Sequence, residues 1–244
     1  MQEILSGLWD IDEIGSMVHA YLWQWGKTDL TLIDCGMPGD EGKILAALRA
    51  HGFDPAHIRR IIITHADVDH MGSLRVLKQT VKAPVACHSV EKDLMEHPGK
   101  RTPAKTPAGY AIRPLHALIS LLPKFRVAPV RPDQLLVDSQ VLAGEGFTVI
   151  HTPGHTPGHI SLLHKEQRFL IVGDALANRK DKLGGPAVLF TPDPYNAQRS
   201  IWKLGKKYAN DIDAAVFGHG VPILSGAGER IKQHAAEIYN TNGE

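Results

Sequence analysis

Histidine and aspartate side chains follow short apolar runs at four places, and this pattern constrains the fold more than any other feature of the chain. The densest group is His65, Asp67, Asp69 and His70, directly after the apolar run Ile61-Ile62-Ile63. Residues of an extended loop alternate in direction, so the first three can converge while His70 opens the next helix. Isolated polar residues usually lie in water. Imidazole and carboxylate groups this close together, behind a buried strand, instead predict a metal site.

The other three places carry one candidate ligand each, with glycine nearby. These candidates are His155, Asp174 and His219, each at the carboxyl end of a predicted strand. Glycine allows the close backbone approach that a crowded metal pocket requires. The chain holds 14 histidines but only two cysteines, Cys35 and Cys87. A thiolate zinc site and a disulfide framework are therefore both excluded.

Apolar runs, helical periods and turn residues predict two halves with the same plan. In the first half we predict the strands Glu3–Ile11, Met17–Trp25, Leu30–Asp34, Ile61–Ile63 and Val85–His88, and helices within 39–52 and 74–81. In the second half we predict the strands Gln134–Val137, Phe147–His151, His159–Leu163, Phe169–Val172 and Ala214–Phe217, and the helices Pro194–Tyr208 and Gly228–Tyr239. Two such halves predict an α/β (α+β) fold, a four-layer αββα sandwich of two mixed β-sheets flanked by helices.

Residues 97–132 interrupt this plan. The segment contains seven prolines around one short apolar helix, predicted at Leu115–Leu122. Its charged side chains are all basic: Lys100, Arg101, Lys105, Arg113, Lys124, Arg126 and Arg131. We therefore predict a single domain over 1–244, with a basic, proline-rich helical insertion at about 97–132.

Composition limits the partners of the chain. Its formal net charge is +1, with 43% hydrophobic, 22% charged and 6% aromatic residues, so it lacks the basic footprint of a nucleic-acid-binding protein. Residues Met1–Asp10 do not resemble a signal peptide, and no apolar stretch reaches the roughly 18 residues of a membrane span. We expect a cytoplasmic monomer or homodimer that acts on a small-molecule substrate.

The four motifs together resemble those of the metallo-β-lactamase superfamily. Its members carry a His-x-His-x-Asp-His loop, a histidine in a Gly-His-Thr-Pro-Gly turn, an aspartate after a Gly-Asp strand end and a histidine in a Gly-His turn. The same order holds here between Asp34 and His219. Asp34, within Leu-Ile-Asp-Cys-Gly, is similar to an early aspartate of the family that supports the metal loops through hydrogen bonds.

The resemblance implies a pair of divalent metal ions with seven ligands: His65, Asp67 and His155 for one ion, Asp69, His70 and His219 for the other, and Asp174 for both. Asp67 stands where most members have a second histidine. Its carboxylate adds negative charge, so this site would accept iron or manganese better than a three-histidine site does. Zinc is the first expectation, with iron and manganese as alternatives.

The resemblance also implies a reaction. A hydroxide that bridges the two metals attacks the substrate, and Asp69 is the catalytic residue expected to orient it and receive its proton. A small ester or lactone is the expected substrate. β-Lactam hydrolysis, thioester hydrolysis as in glyoxalase II, phosphodiester hydrolysis and diiron redox chemistry are the alternatives.

The basic insertion joins the two halves, from where it could cover a metal cleft. Apolar and basic side chains there could receive a substrate with an acyl tail and a polar or anionic head. The candidate lid residues are Arg113, Leu115, Leu118, Leu122 and Lys124. A solvated surface helix or a dimer contact is the alternative role of this segment.

Overall fold

A computed structural model describes residues 1–15 and 18–242. Its β-strands are β1 (Gln2–Leu5), β2 (Leu8–Asp10), β3 (Tyr21–Gln24), β4 (Leu30–Ile33), β5 (Ile58–Ile62), β6 (Val85–His88), β7 (Gln134–Leu136), β8 (Val141–Leu142), β9 (Phe147–His151), β10 (Ile160–His164), β11 (Phe169–Ile171), β12 (Ala177–Arg179), β13 (Lys182–Gly184) and β14 (Ala214–Val216). Its α-helices are α1 (Glu41–Ala50), α2 (Val68–Met71), α3 (Leu74–Val81), α4 (Lys92–Glu96), α5 (Pro107–Ser120), α6 (Pro194–Lys203) and α7 (Ala227–Asn242).

The chain divides into two compact units. Unit one consists of Met1–Arg101 and Ile112–Leu136, and unit two of Thr102–Ala111 and Val137–Glu244. Each unit contains one large mixed sheet with flanking helices, as the α/β class with two mixed sheets requires. The predicted fold class is therefore confirmed, whereas the single-domain boundary stays a prediction.

Unit one is built on a seven-stranded sheet in the order β1 to β7. Strands β1 to β4 pair antiparallel, and β4 to β7 pair parallel. Helices α1 and α3 bury Ile44, Leu48, Leu74 and Leu77 in the core of this unit. Parallel strands end at the same edge of a sheet, so the residues that follow β4 and β5 lie there together.

Unit two is built on a five-stranded sheet in the order β14-β11-β10-β9-β8. Strand β14 pairs parallel with β11, and β10 lies antiparallel between β11 and β9. Strands β9, β11 and β14 therefore run in one direction and end at one edge. Helices α6 and α7 contribute Ile201, Ile231 and Ala235 to the core of this unit. The three predicted ligands of the second half all follow strands that end at this edge.

Three predicted elements differ from the structure. The predicted strand Glu3–Ile11 is wrong as one run, because Gly7 adopts φ +78° and separates β1 from β2. The predicted helix Leu115–Leu122 is displaced, since α5 begins at Pro107, where proline fits a first helical turn. Of the predicted strand Met17–Trp25, β3 covers Tyr21–Gln24 and Met17 lies outside the described residues.

Helix length also tests the predicted absence of a membrane span. The longest described helices are α7 with 16 residues and α5 with 14. Within the described residues, none is long and apolar enough to cross a bilayer.

Candidate metal centre

The loop after β5 brings together the predicted ligands of unit one. His65 and His70 are fully buried, and their ring centroids lie 4.0 Å apart. His65 Nε2 is 3.9 Å from Asp67 Oδ2. A carboxylate oxygen of Asp69 and a ring nitrogen of His70 lie within 4.8 Å of each other. Because α2 begins immediately after Asp67, the loop and the first helical turn present all four side chains together.

Asp34 organises this loop from the end of β4. Its Oδ1 accepts a hydrogen bond from the Thr64 backbone N–H at 2.8 Å. Its Oδ2 accepts bonds from the Thr64 hydroxyl at 2.7 Å and from His70 Nδ1 at 2.8 Å. Asp34 holds φ +60°, which costs free energy for a residue with a Cβ. These are the hydrogen bonds that a supporting residue would make, and the supporting role of Asp34 stays a prediction.

The same hydrogen bonds fix the tautomers of the two histidines. The Thr64 hydroxyl donates to Asp34, so its lone pair accepts from His65 Nδ1 at 3.0 Å. His70 Nδ1 donates to the Asp34 carboxylate. In both rings Nε2 is therefore the nitrogen with the lone pair, the usual arrangement of metal-binding histidines.

Asp67 forms an ion pair that sequence reasoning missed. Arg101 Nη2 donates to Asp67 Oδ2 at 2.9 Å, and Arg101 Nε donates to Asp67 Oδ1 over a shorter distance. Burial opposes the charge of the guanidinium, but the Asp67 carboxylate, with Glu91 and Asp69, outweighs burial and raises the pKa of Arg101. In the sequence Arg101 was only one of seven basic residues of the insertion.

Unit two brings its three predicted ligands together around one carboxylate oxygen. Asp174 Oδ2 is 3.6 Å from His155 Nε2 and 3.1 Å from His219 Nε2. Asp174 and His155 are buried, while the His219 side chain keeps 20% of its exposure. One carboxylate oxygen of Asp174 therefore faces two imidazole nitrogens, and its role as a ligand shared by two ions stays a prediction.

The turn around His155 is shaped by glycine and threonine. Gly154 adopts φ +137°, and a Cβ there would collide with the backbone of Ala197 in α6. Thr191 donates its hydroxyl to the Ala187 carbonyl at 2.8 Å and faces His155 Nδ1 at 3.3 Å. The Thr191 oxygen therefore accepts from Nδ1, which again makes Nε2 the basic nitrogen.

A buried chain of hydrogen bonds holds the backbone of Asp174. Its central residue is His159, to which sequence reasoning assigned no role. The Asp174 N–H donates to His159 Nε2 at 2.8 Å, so His159 carries its proton on Nδ1, 2.8 Å from Thr152 Oγ1. Ser161 donates to the Val172 carbonyl at 2.8 Å and accepts from Thr152 at 3.2 Å. Every donor in this chain has an acceptor, so the network is satisfied.

Replacing His159 by alanine tests this network. We expect the free energy of unfolding of the metal-free protein to fall by about 3 kcal/mol, because a cavity forms and the Asp174 N–H loses its acceptor. Urea denaturation measures the change. His97→Ala is the control, since the exposed His97 pairs with Asp93 at the surface and its loss should cost under about 1 kcal/mol. Equal losses in the two variants would contradict the network.

The donor set fits divalent metal ions. His65, His70 and His155 each direct Nδ1 at an oxygen acceptor and keep Nε2 for coordination. Asp67, Asp69 and Asp174 add carboxylate oxygens. Imidazole and carboxylate donors without thiolate suit zinc, iron or manganese.

The predicted lid residues lie on or just after α5. Leu115, Leu118 and Leu122 are 57%, 63% and 51% exposed. Arg113 is partly buried, and the exposed Lys124 lies over the Phe125 ring at 5.9 Å. The three leucines and Lys124 are therefore exposed and Arg113 is not fully so, and the role of all five residues as a lid stays a prediction.

Each of the two clusters brings together histidine and aspartate side chains, which are the donors of a metal-binding protein. A sequence profile of the metallo-β-lactamase superfamily matches residues 14–219. The chain therefore belongs to the metallo-β-lactamase superfamily, as the four motifs predicted.

Individual relatives support this assignment. The probable metallo-hydrolase YflN of Bacillus subtilis (strain 168) is 30% identical over 221 residues, which cover 86% of this chain and 81% of YflN. A hydroxyacylglutathione hydrolase of Ectopseudomonas mendocina (strain ymp) is 30% identical over 68% of this chain and 49% of its own length. The crystal structure of a metallo-beta-lactamase family protein from Thermus thermophilus shares the fold, with a TM-score of 0.72, 22% identity and coverage of 99% of this chain and 81% of that one.

Proposed function

We propose that this chain is a dinuclear metal-dependent hydrolase of a small ester or lactone. The observation that carries the proposal is Asp174 Oδ2, which lies within 3.6 Å of two imidazole nitrogens whose histidines follow different strands. One shared carboxylate between two histidine positions is what a pair of ions requires.

The proposed ligand set follows the family order. His65, Asp67 and His155 would hold one ion, Asp69, His70 and His219 would hold the other, and Asp174 would serve both. Zinc is the proposed metal. Iron or manganese is the alternative, because Asp67 gives the first position an additional carboxylate.

Asp69 is the proposed catalytic residue. Two divalent ions held by these ligands would acidify a water molecule and polarise the carbonyl oxygen of the substrate. Asp69 is partly exposed beside the buried His70, so its carboxylate can orient the attacking water and accept its proton. Asp34 and Thr64 keep His65 and His70 in the tautomer that this arrangement needs.

Thioester hydrolysis is the second candidate activity. It is favoured by the 30% identity to a protein named as a hydroxyacylglutathione hydrolase. The attack on the carbonyl carbon is the same in both reactions, and only the leaving atom changes from oxygen to sulfur.

A substrate panel separates these activities. The protein is loaded separately with zinc, manganese or iron and assayed with p-nitrophenyl esters, acyl-homoserine lactones, nitrocefin, a glutathione thioester and a bis-phosphodiester. We expect the highest kcat/KM on an ester or lactone. A preference for the phosphodiester or nitrocefin, or no metal-dependent turnover of any substrate, would refute the proposal.

The proposed lid predicts a substrate-dependent effect of charge reversal. With Arg113→Glu and Lys124→Glu combined, we expect kcat/KM to fall about tenfold for substrates with an anionic head, because attraction becomes repulsion. Hydrolysis of neutral p-nitrophenyl acetate should be unchanged. Lys27→Glu, at an exposed position of unit one, is the matched control. An unchanged rate on every active substrate would exclude the lid.

Both cysteines are buried free thiols. Burial, with smaller contributions from Glu91 and Glu96, raises the pKa of Cys87 to about 12. Burial, with a contribution from Asp34, also raises the pKa of Cys35 well above its ordinary value. Such thiols are unreactive and pack as small apolar groups. They are compatible with the proposed cytoplasmic location.

A further inference from the structure

The ion pair between Asp67 and Arg101 lies inside the candidate metal centre. The guanidinium contacts both carboxylate oxygens of Asp67, side on, through Nε and Nη2. The side chain of Asp67 is only 14% exposed and that of Arg101 only 12%. A two-point ion pair of this kind is strong, and leaving either charge unpaired at this depth would be strongly unfavourable.

Arg101 is placed among three carboxylates. Its guanidinium pairs with Asp67, and Glu91 and Asp69 also interact with it electrostatically. Glu91 is fully buried, and its Oε1 accepts the Ala66 backbone N–H at 2.7 Å. Arg101 thus brings positive charge to two carboxylates of the ligand loop and to Glu91, which contacts the loop backbone.

The ion pair does not remove Asp67 from the ligand set. A carboxylate oxygen has two lone pairs, so Oδ2 can accept from Nη2 and still face His65 Nε2, which lies 3.9 Å away. Metal-binding carboxylates in proteins are themselves usually hydrogen-bonded. The guanidinium therefore fixes the direction in which Asp67 presents its oxygen.

We propose that Arg101 is a positioning residue that makes Asp67 equivalent in charge to a neutral histidine ligand. The carboxylate adds one negative charge to the first metal position, and the guanidinium cancels it. Metal affinity at that position then depends on both residues together. This inference rests on the dinuclear site proposed above.

The inference is tested by zinc binding, without any measurement of activity. Zinc per chain is measured by atomic emission after dialysis, and Kd by titration against a chromophoric chelator. We expect Arg101→Met to weaken one of two zinc sites by about 10- to 100-fold, because the lost orientation of Asp67 outweighs the gain from its uncancelled negative charge. Arg101→Lys should weaken it less, because a lysine can still hold one carboxylate oxygen of Asp67 although it loses the two-point contact.

Asp67→His gives the sharper result. Alone, it leaves an uncompensated guanidinium beside the first position, and bound zinc should fall from about two ions per chain to about one. Adding Arg101→Met removes that charge and should restore about two. A structural ion pair alone would not produce this restoration. Melting of each metal-free variant shows whether it is folded.

Lys100→Met is the matched control, since Lys100 is the neighbour of Arg101 and pairs with the exposed Asp93 at 2.7 Å. It should leave both zinc sites unchanged. Two ions in the wild type, with unchanged Kd in Arg101→Met or no restoration in the double variant, would overturn this inference alone. One ion in the wild type at saturating zinc would overturn the dinuclear proposal and this inference with it.

Discussion

Replacing Asp174 by alanine is expected to remove most of the bound metal and to lower kcat/KM by about 10³-fold or more, equivalent to about 4 kcal/mol of transition-state stabilisation. The carboxylate oxygen lies 3.1 Å from His219 Nε2 and 3.6 Å from His155 Nε2, so its loss affects both proposed ion positions at once. Metal content by atomic emission and ester hydrolysis measure the two effects.

The number of metal ions lost on replacing Asp174 distinguishes a ligand shared by two ions from a ligand of one ion. A residue that served one ion would leave the other in place, with about one zinc per chain. Asp181→Asn is the control, because the exposed Asp181 pairs with Arg230 at 2.9 Å, belongs to the same unit and holds φ +61°, which asparagine tolerates. A variant of Asp174 that kept full occupancy and rate would show that the shared ligand is wrongly assigned.

The positions of the candidate ligands were predictable because strand direction determines them. In unit two, β9, β11 and β14 run the same way, so His155, Asp174 and His219 follow strand ends at one edge of the sheet. Apolar runs identify the strands, and polar residues immediately after them identify the edge. Local sequence patterns are therefore sufficient to predict this part of the candidate site.

The role of His159 needed the register of the sheet as well. Leu162 pairs with Ile171 across β10 and β11, and the same antiparallel register, continued toward the strand ends, sets His159 opposite Asp174. Spacing within the sequence indicates a strand end but gives no register. A register deduced from the apolar pattern could have found this contact.

Arg101 could not have been found by either argument. It is 34 residues from Asp67 and lies just beyond the end of a short 3₁₀ turn in the insertion. The seven basic residues of that segment look alike in sequence, and only the tertiary path of the chain selects which one meets the loop. Long polar side chains carry little periodic signal, so their partners depend on packing that sequence patterns do not encode.

Asp34→Asn is expected to weaken zinc binding by about 10- to 100-fold and to lower the free energy of unfolding by about 1 to 3 kcal/mol. Asp34 accepts from three donors: the Thr64 N–H, the Thr64 hydroxyl and His70 Nδ1. An amide offers one acceptor oxygen and turns its NH₂ toward a donor, so at least one bond is lost. Asparagine tolerates the φ of +60° at this position, so backbone strain does not confuse the result as it would with alanine.

Asp10→Asn is the control that separates an effect on zinc binding from an effect on the free energy of unfolding. Asp10 accepts from His19 Nδ1 at 2.9 Å in the same unit, so this variant loses a similar aspartate and histidine pair outside the ligand loop. It should cost comparable stability in urea and leave the zinc Kd unchanged. If both variants lost stability and neither changed the Kd, Asp34 would be a structural residue only. A Kd change confined to Asp34→Asn would follow from its contact with His70, because the carboxylate holds the proton on Nδ1 and keeps Nε2 basic for the ion.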